Sequence, residues 1–425
     1  MSNNENTKKI DIQGPQQKRK AFPRKPVYII AILLLGILTG AFLVMLILTD
    51  ILPPDITVIL AAAAVALLLF TDFMISSRYR WKRIIGIVLC IVAVGTMGFV
   101  TNFMRETYGM LNKISASAVD ATGPSAKKVN ITEEPFNVYI TGIDQWESEK
   151  GLDLERSDVN MIMTINPRTK KILLTSIPRD SYVKLHTAQQ MDKLTHTGIY
   201  GVDETINTVQ DWLGTDLNYY VKMNFSGAKD IINAMNGIKV YSPVAFESSL
   251  KPYKYKKGWN KLGGSKALFF ARERHAFEGQ DSIRVENQQR VIKAVIKKMT
   301  SSTTLLTRYG DIMDAAGQNL STNMSAADMT ELAKMQISEL STWDVETQKI
   351  DGEYDEDYVA SLTQAQKFSV YRPDPASVSK CVKGIENIMN PPASELEAAD
   401  KIRSKSFIIN MVNKAIESID NKINS

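Results

Sequence analysis

Three apolar runs open the chain. Residues 27–48 carry no charge, residues 56–74 only Asp72 near their end, and residues 84–104 none. A helix rising about 1.5 Å per residue needs about 20 apolar residues to cross the hydrocarbon core, and each run suffices. A single run is also compatible with a buried core helix or a cleaved leader. Three in close succession, the first without a small-residue cleavage site before the second, predict a three-helix membrane anchor. Residues 105–134 then lose the hydrophobic period and bring Ser115, Ser117 and Gly123-Pro124-Ser125, the composition of a connector.

The pattern changes again at Pro135. Residues 136–143 (FNVYITGI), 159–165 (VNMIMTI) and 172–177 (ILLTSI) are β-branched and apolar, the mark of buried strands. The last two are joined by Asn166-Pro167-Arg168-Thr169-Lys170, a turn with its own chemistry. Val202, Ile206, Val209 and Leu213 share one face of a helix over 202–213 that Gly214 can close. Strands at 219–223 and 238–241 alternate with helices at 227–235 and 282–299, and the chain from Ser325 reads as mostly helical, ending in 395–419. Alternation of this kind predicts an α/β domain with a central mixed sheet flanked by helices, here over residues 135–390, followed by a helical tail at 391–425.

Charge settles the predicted orientation. The net charge is +5 over 425 residues, and the excess lies upstream of Ile84. Residues 1–26 carry Lys8, Lys9, Lys18, Arg19, Lys20, Arg24 and Lys25, and the second loop carries Arg78, Arg80, Lys82 and Arg83. The first loop has Asp50 and Asp55 and no base. Positive loops stay inside, so the arm is expected in the cytoplasm and residues 105–425 outside the cell membrane. Nucleic acid is excluded as a partner, because the basic residues flank membrane helices and do not form a folded phosphate-facing surface. Two cysteines, Cys90 and Cys381, and three histidines rule out a disulfide scaffold, a zinc ribbon and a histidine-rich metal centre.

Four stretches place charge where strands stop: Thr141-Gly142-Ile143-Asp144, Arg156-Ser157-Asp158, Ser176-Ile177-Pro178-Arg179-Asp180, and Arg272-Glu273-Arg274-His275 with Asp281, Arg284 and Gln288 after it. In α/β sheets ligands gather beyond strand ends. Arginine presents a planar fork of donors that pairs with phosphate oxygens, and five arginines together call for an anion. Asp144 and Asp158 are carboxylates of the kind that hold a hard divalent cation. Taken singly, each pair also reads as a surface ion pair, a helix cap or turn chemistry.

Order and spacing add to this. The succession FNVYITGID, RSDVNMIMTINPRTKKILLTSIPRDSYV, KLTH, ALFFARERH and QDSIRVENQQRVIKAV resembles the LytR–CpsA–Psr family of membrane-anchored glycopolymer transferases, mainly of Gram-positive bacteria. The three runs ahead of it are similar to the capsule-associated branch, whose usual accessory domain has no room here. The resemblance implies that Asp144 and Asp158 hold Mg²⁺ (or Mn²⁺), and that Arg156, Arg179, Arg272, Arg274 and Arg284, with Gln288, bind a diphosphate. It also implies that Asp281 orients the arginines, and that a polyprenyl chain lies between sheet and helices. The implied reaction moves a polyprenyl-diphosphate-linked glycopolymer, capsular polysaccharide or teichoic-acid-like, onto a peptidoglycan sugar hydroxyl, with polyprenyl phosphate released. Capsule-assembly proteins are further partners implied by that branch. Asp180 and Asp144 are both candidates for the general base.

Three departures stand out. Asn287 replaces an arginine common in the family, Thr195 replaces the asparagine before His196, and Asn236-Gly237 replaces a Gly-Gly turn. The loss of one positive donor leaves room for a non-catalytic sensor of polyprenyl-linked glycan; a lipid-diphosphate hydrolase is a variant of the transferase reading. Transcriptional regulation is disfavoured: no helix-turn-helix pattern is present, and the expected cytoplasmic part is too small to fold as a reader.

Overall fold

The computed structural model describes residues 26–49, 54–77, 79–119, 129–144, 156–277, 280–339, 341–362 and 366–403. The predicted arm, most of the tail and part of the connector lie outside the described residues. The chain divides into two compact units, one made mainly of the apolar helices and the other of an α/β domain.

Helices α1 (Pro26–Thr49), α2 (Pro54–Ile75) and α3 (Arg80–Val119) fall on the three apolar runs. Thr57–Ile75 and Arg80–Asn102 are long and apolar enough to cross a membrane, and Ile32–Leu48 is a shorter apolar stretch. Their outer faces expose Ile37, Ile47, Phe73, Ile91 and Phe99, whereas Leu35, Phe42, Ala93 and Met97 are buried. So contiguous an apolar surface is unusual for a protein facing water. α3 runs on to Val119, past the point where the connector was expected, because Met110–Val119 contains neither glycine nor proline to stop it.

In the α/β domain, β1 (Phe136–Asp144), β2 (Arg156–Asn166) and β3 (Lys171–Ile177) form an antiparallel meander. The β2–β3 turn is held by Asn166, whose Oδ1 accepts from the N–H of Arg168 and Thr169, both at 3.1 Å. Next come β4 (Tyr182–Lys184), β5 (Met191–Lys193), a 3₁₀ turn (Leu194–Tyr200) and α4 (Val202–Leu213). Gly214 closes α4 in the left-handed conformation, φ 62°. Then follow β6 (Tyr219–Asn224), α5 (Phe225–Ala234), β7 (Ile238–Ser242), β8 (Phe246–Glu247), β9 (Lys254–Tyr255), β10 (Gly258–Leu262), α6 (Gly264–Arg272), α7 (Gln280–Met299) and α8 (Ser302–Asn319). The Asn236-Gly237 turn has φ 60° and 82°, the left-handed pair expected there.

The C-terminal part differs from the helical expectation. β11 (Leu320–Thr322) and α9 (Ala326–Glu339) are followed by β12 (Asp344–Lys349), β13 (Gly352–Asp357) and β14 (Phe368–Pro373), then α10 (Pro375–Met389) and α11 (Ala393–Arg403). β12 completes a six-stranded mixed sheet in the order β11-β6-β1-β2-β3-β12. Its polar sequence DVETQK hides a strand, because an edge position buries little beyond Val345.

Both faces of the sheet are covered. Tyr139, Ile162, Leu173 and Tyr220 pack under α4 and α10 with Ile206, Val209, Cys381 and Ile385. Val138, Met161, Leu174 and Val345 point the other way, against Ile292 and Ile296 of α7 and Leu332 of α9. The alternation is the two-residue period of a strand, and each large side chain buried here contributes about 1.5–3 kcal/mol. A third cluster, with Ile231, Met235, Val240, Phe270 and Val291, lies under the β7–β10 pair and α5–α8.

Candidate functional site

Strand register gathers the charged stretches at one end of the sheet. β1 and β2 pair until Asp144 faces Arg156, across an irregularity between Gly142 and Ile143. β2 and β3 pair from Asn160 with Ile177. Asp158 and Arg179 each lie two residues beyond that pair, and they meet: Arg179 Nη1 donates to Asp158 Oδ1 at 2.7 Å. The pair extends into a row of alternating charge. Arg179 Nε lies 3.4 Å from Asp180 Oδ2, and Asp180 Oδ1 lies 3.6 Å from Lys193 Nζ.

The loop carrying Arg179 is held on both sides by main-chain bonds. The Arg179 carbonyl accepts from Thr195 N–H at 2.8 Å, the Ser181 carbonyl from Leu194 N–H at 2.9 Å, and the Asp180 carbonyl from Tyr371 N–H at 2.8 Å. Ser181 closes the turn by donating its hydroxyl to the Pro178 carbonyl at 2.7 Å. The Lys-Leu-Thr-His segment thus braces the loop through its backbone, a role that does not need asparagine at position 195. His196 is buried, with Nδ1 2.7 Å from Asp192 Oδ1 and 2.8 Å from Ser361 Oγ. Burial pushes the Asp192 carboxyl up, but bonds from His196, Ser361 and the Lys193 N–H outweigh it and leave it below its ordinary range.

Arg272 reaches the same end by another route. It is the last residue of α6, and its guanidinium stacks 4.7 Å from the Phe225 ring centroid. Phe225 follows Asn224, which pairs with Ile143 of β1. Between Arg272 and Arg274, Glu273 points inward and is fully buried. It accepts from Ser248 Oγ (2.7 Å), Ser249 N–H (2.7 Å), Ser249 Oγ (2.9 Å), Arg274 N–H (3.0 Å) and Ala276 N–H (3.0 Å). Burial raises its pKa, and these donors together more than reverse that, so the carboxyl sits below its ordinary range. Arg274 is exposed, with Nε donating to His275 Nε2 at 3.1 Å.

α7 is fastened to the end of β3 by Gln289, which donates to Ser176 Oγ at 3.0 Å and to the Gln348 carbonyl at 2.7 Å. Arg284 and Gln288, four residues apart and partly buried, share a face one turn away. Asn287 is 1% exposed and accepts from Arg290 Nη1 at 2.8 Å, so this departure is a packed side chain.

Direct contacts therefore join Asp158, Arg179 and Asp180. Arg272, Arg284 and Gln288 are brought to the region by Phe225 and Gln289. Asp144 and Arg156 face each other by backbone register; their side chains, and that of Asp281, lie outside the described residues. Sequence reasoning pointed to Lys193 only through the KLTH stretch, and it missed Phe225 and the Glu273 network. A carboxylate set between two arginines was the available signal for the last. Among the described residues no three His, Cys, Asp or Glu side chains cluster as a metal site. Mg²⁺ needs only one or two carboxylates beside phosphate oxygens and water, and Asp158, with Oδ1 on Arg179, is a donor of that hard-oxygen type.

Residues 103–382 match the model of the LytR_cpsA_psr family. The chain belongs to that family. The polyisoprenyl-teichoic acid–peptidoglycan teichoic acid transferase TagU of Bacillus cereus is 31% identical to this LytR–CpsA–Psr protein over 59% of its chain and 81% of the relative. TagU of Bacillus subtilis is 30% identical over 60% and 82%. The crystal structure of B. subtilis TagV superposes with a TM-score of 0.51 at 28% identity, covering 60% of this chain and 98% of that one. TagT bound to LIIa-WTA gives 0.51 at 27%, covering 63% and 98%. Residues 22–140 also match the solute carrier family 35 model. Most of that stretch is the apolar helices, whose hydropathy is common to membrane-spanning proteins, and it covers less than half of the chain.

Proposed function

We propose that this chain transfers a polyprenyl-diphosphate-linked glycopolymer to a peptidoglycan hydroxyl. The observation that carries the reading is the row Asp158–Arg179–Asp180–Lys193 at the strand ends, on the side where β1 and β6 bring Arg272. The acceptor oxygen attacks the phosphorus next to the glycan, forming a phosphodiester. The bond from that phosphorus to the bridging oxygen breaks, polyprenyl phosphate leaves, and the hydroxyl proton passes to a base.

Catalysis of this kind is positioning and charge stabilisation. Arg179, in its braced loop, and Arg272, held over the Phe225 ring, present positioned donors to the diphosphate. Arg156, Arg274, Arg284 and Gln288 complete the anion site, and Asp281 orients the arginines. Asp144 and Asp158 would hold Mg²⁺, which supplies neutralising charge for the leaving phosphate. The three apolar helices anchor the chain in the cell membrane with the basic arm in the cytoplasm and the α/β domain outside, on the side of the wall. The glycopolymer is of teichoic-acid or capsular type.

A polyprenyl diphosphate should raise the Tm of the full-length chain in detergent by several degrees through linkage, and Arg179→Ala with Arg272→Ala should remove the shift. An equal shift in that variant would count against the anion site.

A further inference from the structure

The β7–β10 ribbon has a buried and an open face. Ile238, Val240, Asn260 and Leu262 turn inward. Cross-strand register sets Trp259 opposite Tyr241 and Lys261 opposite Lys239, and these four side chains are exposed. Trp259 is 61% and Tyr241 46% exposed, their rings edge to face at 5.5 Å. Large aromatics in the open mark a surface that meets a partner.

The charge around them is one-sided. Residues 239–266 hold Lys239, Lys251, Lys254, Lys256, Lys257, Lys261 and Lys266 against Glu247 alone. Glu247 reaches Lys254 at 3.7 Å, and Lys239, Lys256, Lys257 and Lys261 face no carboxylate among the described residues. Two lysines directly opposite on a ribbon repel each other. The chain beyond Ile84 carries slightly more acids than bases, so this basic ribbon is a local feature.

Along the ribbon a lysine rung (Lys239, Lys261) is followed about 7 Å on by an aromatic rung (Tyr241, Trp259), and then by Lys256-Lys257 before Gly258. β10 leads into α6, whose nine residues end at Arg272, about 13 Å along the helix. We infer that this face binds the polymer part of the donor, a polyanion in which sugars or polyols alternate with phosphodiesters. Resting on the transferase reading above, the assignment makes the donor a phosphate-rich glycopolymer. Sugar rings stack on Trp259 and Tyr241, and phosphates lie against the lysine rungs as point-charge partners. The alternation of ring and cation matches that of the polymer; a bilayer surface requires no such spacing.

The test uses the full-length chain in detergent, Lys239→Gln/Lys261→Gln and Trp259→Ala variants whose Tm matches wild type, and two donors on the same lipid diphosphate. One donor carries a single disaccharide, the other a long polymer in which sugars alternate with glycerol phosphate. KM for the polymer donor should rise about fivefold in the double variant, more at low salt, with the disaccharide donor unchanged. Equal KM for both donors in variant and wild type would overturn the inference. So would loss of binding to phosphatidylglycerol vesicles with the polymer KM unmoved. If wild type transfers neither donor, the transferase reading fails, and binding of lipid-free poly(glycerol phosphate) then decides the face. Loss of that binding in the double variant supports it, and undiminished binding overturns it.

Discussion

Glu273→Ala removes the buried acceptor that holds the Arg272–Arg274 loop against residues 248–249. Three main-chain N–H groups (Ser249, Arg274, Ala276) and two hydroxyls (Ser248, Ser249) lose their partner. The hydroxyls can turn elsewhere, but an orphaned buried N–H costs about 1–3 kcal/mol. With water entering the vacated space, the net loss is about 3 kcal/mol, which for a domain of this size lowers Tm by about 6–12 °C. Glu273→Gln keeps one acceptor oxygen and sets an NH₂ against an N–H, so it should fall about halfway. The neighbouring Arg272 guanidinium loses its fixed position, and diphosphate binding should weaken about tenfold or more. Scanning calorimetry of the full-length chain in detergent, paired with titration of a polyprenyl diphosphate, reads both effects. A Tm within about 2 °C of wild type for both variants would refute the assignment of Glu273 as organiser of the loop.

Further outcomes follow from the same geometry. Arg179→Lys keeps the charge but loses the planar fork, so transfer should fall about a hundredfold while Tm barely moves, the side chain being 30% exposed. Ile162→Ala, at a fully buried position on the α4–α10 face, should cost about 2–5 kcal/mol in denaturant unfolding with site residues untouched. Glu273 and Asp192 have folded-state pKa values below their ordinary 4.5 and 3.8, so the stability they contribute is complete above those values and is lost as pH falls below them. Unfolding measured from pH 6 down to pH 3 should show that loss, and Glu273→Gln should reduce its slope.

The sequence was most legible where burial and local chemistry agreed. α4 is bounded by a strong apolar face and a left-handed Gly214, and its ends coincide with those predicted. β1 and β3 are buried on both faces, so their runs of apolar residues needed no context. β12 and the β13–β14 hairpin break the mostly helical pattern expected from Ser325: Asp344–Lys349 and Gly352–Asp357 are mostly polar, and β12 is a strand only through pairing with β3, about 170 residues earlier in the chain. At the site, Asp158 and Arg179 were visible as charges at strand ends. Their meeting, with Asp180 and Lys193 extending the row, depends on a register that periodicity does not encode. Thr195 appeared as a departure in a motif; its contribution is a main-chain N–H that any residue except proline supplies.

The account's central claim is tested most directly by transfer itself. The full-length chain in detergent would be mixed with Mg²⁺, a polyprenyl-diphosphate-linked sugar and peptidoglycan oligomers, and the products read by mass spectrometry. The account predicts a phosphodiester-linked conjugate with release of polyprenyl phosphate, both lost in Arg179→Ala of unchanged Tm. Conjugate formed equally by that variant, or lipid binding without turnover across several donors, would contradict it.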